Sequence, residues 1–72
     1  MRFFAPDQEI VPPIVPGDVF CWVHGPDVTN IYAMERQEDG KDVLVVNVKE
    51  RFPNEIQAFF DRVPENERYH AK

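Results

Sequence analysis

The sequence predicts a single small α+β domain, in which a three- to four-stranded antiparallel sheet carries one amphipathic C-terminal helix. Three observations support this: a β-rich segment bounded by turn signals at Asp18 to His24, an Asp39-Gly40 hairpin between two apolar runs, and apolar residues at helical spacing from Ile56 to Val63. Seventy-two residues leave room for one domain. A chain of that size buries only about 60% of the surface its unfolded form exposes, so its core is thin. The division expected is a proline-rich arm over 1–17, sheet and helix over 18–63, and a polar tail over 64–72.

The arm comes first. Residues 5–17, APDQEIVPPIVPG, hold four of the seven prolines. Proline lacks the donor a sheet ladder requires and pushes the residue before it into extended backbone. Ile10, Val11, Ile14 and Val15 are too many apolar residues for a free linker, so the arm is expected to lie along an edge or over the domain, with Arg2, Phe3 and Phe4 upstream as a short edge strand. Pro13-x-x-Pro16 matches the minimal polyproline ligand pattern, but no basic residue flanks it to orient a groove partner.

Asp18 to His24 contains Phe20, Trp22 and two valines between Pro16-Gly17 and Gly25-Pro26-Asp27, and reads as a strand. NIYAMERQ and DVLVVNVK then flank EDGK, where Gly40 supplies the positive φ of a tight hairpin. A three-residue loop with a bulge at Gly40 pairs Arg36 with Asp42, Met34 with Leu44 and Tyr32 with Val46. A two-residue loop shifts each pair by one. Opposite charges across a strand pair contribute roughly 0.2–1 kcal/mol, which favours the bulged register.

Ile56, Phe59, Phe60 and Val63 follow i, i+3, i+4, i+7, the stripe of a helix laid on a core. Asn54 with Gln57 three residues on reads as a reciprocal cap, and Pro64 as the stop.

Side chains alternate along a strand, so Phe20, Trp22 and His24 share one face and Val19, Cys21 and Val23 the other. In the hairpin Ile31, Ala33, Val43 and Val45 oppose Tyr32, Met34, Leu44, Val46 and Val48. Both faces of the sheet are therefore apolar, and one helix covers only one of them. The other requires the arm, closure into a barrel, or another chain, because large exposed apolar patches are rare on soluble monomers. Phe20, Trp22, Tyr32 and Met34 are the candidate partner-binding residues.

Cys21-x-x-His24 invites a chemical reading. A spacing of three places the two on opposite faces of a strand, and zinc wants four convergent ligands, which leaves Cys21 a small buried apolar residue. No catalytic residue, metal ligand or cofactor-binding residue is assigned. One cysteine excludes an internal disulfide, and no glycine-rich phosphate loop, nucleophile elbow or HExxH occurs. A net charge of -5 has the wrong sign for gripping a phosphate backbone. Acidic residues such as Asp7, Glu9, Glu38 and Asp39 are interleaved with Arg36, Lys41 and Lys49, the pattern of a solvated surface rather than of a nucleic-acid mimic. No apolar run approaches the roughly 20 residues of a membrane helix, and MRFFAPDQEI lacks the pattern of a signal peptide, so the expected compartment is the cytoplasm.

The order PGDVFCWV, loop, IYAMERQEDGKDVLVV resembles the first three strands of SH3-like and Tudor-like small barrels over about half the chain. That resemblance implies, as the alternative fold, a partly open barrel, and as the alternative function a reader or nucleic-acid-associated adaptor with Trp22 and Tyr32 in a methyl-ligand cage. The leading expectation is a small, acidic, non-enzymatic protein-binding module, of the kind a phage or mobile element encodes to occupy a surface of a host protein, binding another protein or itself as a homodimer. A small Cys/His-dependent enzyme or metal protein is the third.

Overall fold

Two sheet edges and one long crossover organise the molecule. The structure, a computed structural model, describes residues 1–64; residues 65–72 of the expected tail, His70 among them, lie outside the described residues. The elements are β1 (Phe3–Phe4), β2 (Val19–Val23), β3 (Ile31–Arg36), β4 (Asp42–Leu44), α1 (Val48–Arg51) and α2 (Pro53–Arg62). The four strands form one sheet in the order β1-β2-β3-β4, with β1 and β4 at its edges, so the sheet does not close on itself and the fold is the small α+β expected.

The short strand expected over Arg2 to Phe4 forms at Phe3–Phe4, but it joins β2 in parallel, with Phe3 opposite Val19 and Phe4 opposite Phe20. The sheet is thus mixed rather than wholly antiparallel. A parallel neighbour needs a long return connection, and the proline-rich arm between Phe4 and Val19 provides it. Arm and crossover are one segment. Its Pro12–Pro13 peptide is cis.

β2 and β3 pair antiparallel, with Phe20 opposite Met34, Cys21 opposite Ala33 and Trp22 opposite Tyr32. The following hairpin takes the bulged register: Arg36 faces Asp42 and Met34 faces Leu44. Gln37 N–H donates to Lys41 O at 2.7 Å, Gly40 N–H donates to Gln37 O at 2.9 Å, and Gly40 sits at φ 86°. The expected Arg36 and Asp42 pair is an ion pair in which Arg36 donates to both carboxylate oxygens.

The strand expected to run through Lys49 stops at Leu44. Asn47 adopts a left-handed conformation, φ 56° and ψ 55°, and the chain turns there into α1, with the Glu50 and Arg51 N–H groups donating to Asn47 O at 2.9 and 3.0 Å. Asparagine visits this region more readily than other non-glycine residues because its short polar side chain bonds locally. The turn moves Val48 from the face it was expected to share with Tyr32, Met34 and Leu44 into the core on the opposite side.

α2 follows at once. Its stripe is as expected, with Ile56 and Phe59 buried and Phe60 and Val63 packed against the core. The expected cap is not: the N-cap is Phe52, no side chain caps it, and Pro53 occupies the first turn. Proline suits that place because its φ is preset and its missing N–H would have no helical partner. Asn54 then falls inside the helix, and Gln57 donates to Asp61 at 2.9 Å instead of reaching back. Val63 leaves the helix at ψ 128°, as the residue before Pro64 is disposed to do.

The core lies between the sheet and the two helices. Val19, Cys21, Ile31 and Ala33 from the central strands meet Val45, Val48, Ile56 and Phe59, with Ala5 closing one end. Phe3 stacks at a tilt on Phe52, ring centroids 5.0 Å apart, and ties the edge strand to the helical layer.

Candidate protein-binding face

The opposite face of the sheet carries no helix, and its side chains fall into rows across the strands. At one end Arg2, Asp18, Arg36 and Asp42 alternate in charge from β1 to β4. Asp18 and Arg36 are adjacent because Arg36 N–H donates to Asp18 O at 3.0 Å, one step beyond the Val19 and Glu35 pair. The next row is apolar: Phe4, Phe20, Met34 and Leu44, each opposite the next in the ladder. Beyond it stand Trp22 and Tyr32, and then His24, whose ring meets Tyr32 edge-on at 6.0 Å.

Asp18 organises the charged row. Its side chain is 1% exposed, and it accepts from Arg2 Nη2 at 2.6 Å, Arg2 Nε at 3.1 Å, the Arg2 backbone N–H at 3.1 Å and the Val15 N–H at 3.0 Å. Hydrogen bonds from the Arg2 side chain and from Val15 hold its carboxyl well below the usual carboxylate range. Asp42, bonded to Arg36, is lowered for the same first cause. Arg2 also donates to Pro13 O at 2.7 Å and Val11 O at 3.3 Å, so the arm is fastened to this row by its backbone. At its start the arm is held by Asp7, which accepts two bonds of 2.8 Å from Arg62 at the end of α2. The arm therefore passes from the helical side round β1 to the helix-free face.

That face is shielded only in part. Phe4 is buried and Phe20 and Met34 are half-buried, whereas Trp22 is 38%, Tyr32 39%, Leu44 54% and Val46 65% exposed. Trp22 and Tyr32 stack nearly parallel, 24° between planes and 5.9 Å between centroids. Rings in that arrangement lie side by side on a surface; they do not surround a common centre as a methyl-ligand cage requires. Next to them, where β4 turns into α1, a groove of about 440 Å³ is lined by Ile31, Tyr32, Leu44, Val45, Val46, Asn47, Val48, Lys49 and Glu50.

The four candidate residues Phe20, Trp22, Tyr32 and Met34 are thus together, as two adjacent cross-strand pairs. Leu44 and Val46, expected on the face of Tyr32 and Met34 but not counted among the candidates, are their exposed continuation, and the groove was missed. Asn47 within a valine-rich run was the available signal. Val43, expected on the core side with Val45, is exposed on the edge strand β4.

The chemistry of the other face is separate. Cys21 is in the core, its thiol pushed up to about 12 by burial, so it is un-ionised at neutral pH. His24 projects on the aromatic side. Among the described residues no three His, Cys, Asp or Glu side chains converge as metal ligands would, and no helix is long and apolar enough to cross a membrane. The chain matches no protein-family model, and neither a curated protein nor a solved structure is significantly similar to it.

Proposed function

We propose that this chain is a small acidic protein-binding module that works by laying the Trp22 and Tyr32 face on another protein. The exposed, stacked Trp22 and Tyr32 pair, continued by Leu44 and Val46 on a sheet face without a helix, carries the reading. Aromatic residues are enriched at interface centres because they supply large, rigid contact area at low entropic cost. Nothing in this mode of action needs a nucleophile, a metal or a cofactor.

The charge pattern supports a basic partner. Arg2, Arg36 and Arg62 are each spent on an aspartate of this chain. Lys41, Lys49 and Arg51 remain against Glu9, Asp27, Glu35, Glu38, Asp39, Glu50, Glu55 and Asp61, so the outward field of the described residues is negative. A partner with a basic rim around an apolar patch is complementary, and electrostatic steering raises its association rate. Small size and acidity fit a competitive occupant of a host protein's surface, as phage or mobile-element inhibitors are, acting in the cytoplasm.

The test is affinity capture with wild type and Trp22→Ala, together with sedimentation of the free protein. Recovery of one stoichiometric basic partner that the variant loses is the expected result. If the wild type sediments as a dimer that Trp22→Ala dissociates, the occupant of the face is a second copy. Retention on RNA that weakens with salt, equal for both proteins, would sink the proposal.

A further inference from the structure

The arm is attached in an unusual way for a segment rich in apolar residues. Of its side chains only Ala5 belongs to the core cluster, while Ile14 is half-buried and Ile10, Val11 and Val15 are exposed. What holds residues 11–15 is polar. Arg2 donates to the Val11 and Pro13 carbonyls and to Asp18, and Asp18 accepts from the Val15 N–H. Most of this set converges on one ion pair, Arg2 with Asp18; beside it the Asp18 N–H donates to Val15 O at 3.1 Å, and Arg36 Nη1 reaches Ile14 O at 3.5 Å.

That pair also covers apolar surface. The Arg2 guanidinium carbon lies 5.1 Å from the centroid of the Phe4 ring. Phe4 is buried, yet it stands outside the core cluster of the helical side. Its cover is therefore on the helix-free face, where Arg2 and the arm are. Phe4 begins the apolar row that continues through Phe20 and Met34 to exposed Leu44.

We propose that residues 9–15 form a displaceable strap, latched by the Arg2 and Asp18 pair, whose release lengthens the apolar binding face from Leu44 back across Met34 and Phe20 to Phe4. The latch is separable from the fold because the strap adds nothing to the packed side of the sheet, and a segment held by a few polar contacts opens locally at lower free energy than core elements do. Release also frees the exposed Ile10, Val11 and Val15 to move with the strap. The binding role of the lengthened face rests on the function proposed above; the latch itself does not.

Two variants of the free protein test it, Asp18→Asn, which removes the charge at nearly constant shape, and Arg2→Gln, which removes the guanidinium. Residue-resolved hydrogen exchange and binding of the apolar dye 8-anilinonaphthalene-1-sulfonate are read in each. The expected result is that exchange at Val15 accelerates tenfold or more and dye fluorescence rises several-fold, while amides of the β2 and β3 ladder and of α2 keep their wild-type rates. Unchanged exchange at Val15 in both variants would overturn the latch. Equal acceleration across the β2 and β3 ladder would overturn the strap, since the arm would then be inseparable from the fold. Neither readout depends on any partner being captured, so failure here is distinct from failure of the proposed function.

Discussion

The two faces of this sheet are built from the same strands and nearly the same residue types, yet they have different fates. Val19, Cys21, Ile31 and Ala33 disappear beneath α1 and α2, while Trp22, Tyr32 and Leu44, one residue away along each strand, stay open to solvent. Strand alternation makes the two sets equally apolar; the difference is what lies on top of them. A ten-residue helix with one apolar stripe covers one face. The arm is tied at the charged end of the other by backbone carbonyls and an ion pair, with Arg2 over the Phe4 ring, and the aromatic end stays bare. A face buried by packing stabilises the fold, whereas a face tied down by polar contacts is open to competition.

Substitutions separate the two, beginning with the helical side. Phe59→Ala removes a ring from the core and leaves a cavity, at a cost of about 3–5 kcal/mol. A domain this small seldom has more than that to lose, so circular dichroism of the variant at 25 °C is expected to show a largely unfolded chain. Retention of a cooperative thermal transition near that of wild type would mean that the helical layer is not the main support of the sheet.

Trp22→Ala applies the same kind of truncation to the open face. Here the loss of stability is expected to stay within the roughly 0.2–1 kcal/mol of a cross-strand aromatic pair. Affinity for the partner should instead fall by about 2 kcal/mol or more, roughly thirtyfold, as for an aromatic at an interface centre. Chemical denaturation and titration calorimetry on the same variant measure both, and a large loss of stability with unchanged affinity would reverse the assignment of the two faces.

Gly40 lies at the hairpin tip, away from both faces. At φ 86° with nothing within 4 Å of an added Cβ, Gly40→Ala meets only backbone strain, which costs about 1 kcal/mol. A neutral outcome in urea denaturation would show that the bulged turn relaxes into another type.

Acid reaches the polar end of the open face. Asp18, Asp42 and Asp7 are all lowered by bonds from arginine, so each binds its proton more weakly folded than unfolded. Their stabilising contribution is complete above the unfolded carboxylate range near pH 4 and is lost as pH falls through the lower folded values. Far-ultraviolet circular dichroism from pH 7 to pH 2 should show a flat plateau and then a decline, and Asp18→Asn should make that decline shallower. A decline beginning above pH 5 would point to another group.

Much of this was legible from local pattern. The turn at Gly40, the Arg36 and Asp42 register and the stripe from Ile56 to Val63 each depend on residues within a few positions of one another. Alternation placed Phe20 with Trp22 and Tyr32 with Met34; that the two pairs share one face was decided by the register of β2 against β3. The readings that failed were those in which a neighbouring residue's backbone preference prevailed: Asn47 bent a run of valines that otherwise reads as strand, and Pro53 took the helix start from Asn54.

The sequence by itself determined an amphipathic helix, a hairpin and a sheet with two apolar faces, because side-chain period and turn chemistry are properties of short segments. Only the tertiary structure decided which face the helices cover, that Phe3 and Phe4 pair in parallel with β2, and that the arm is the crossover this pairing demands. It also decided that Arg2 and Asp18, sixteen positions apart, meet to fasten that arm. Those outcomes depend on contacts between segments distant in sequence, whose free energies appear only when the chain has closed the loops that join them.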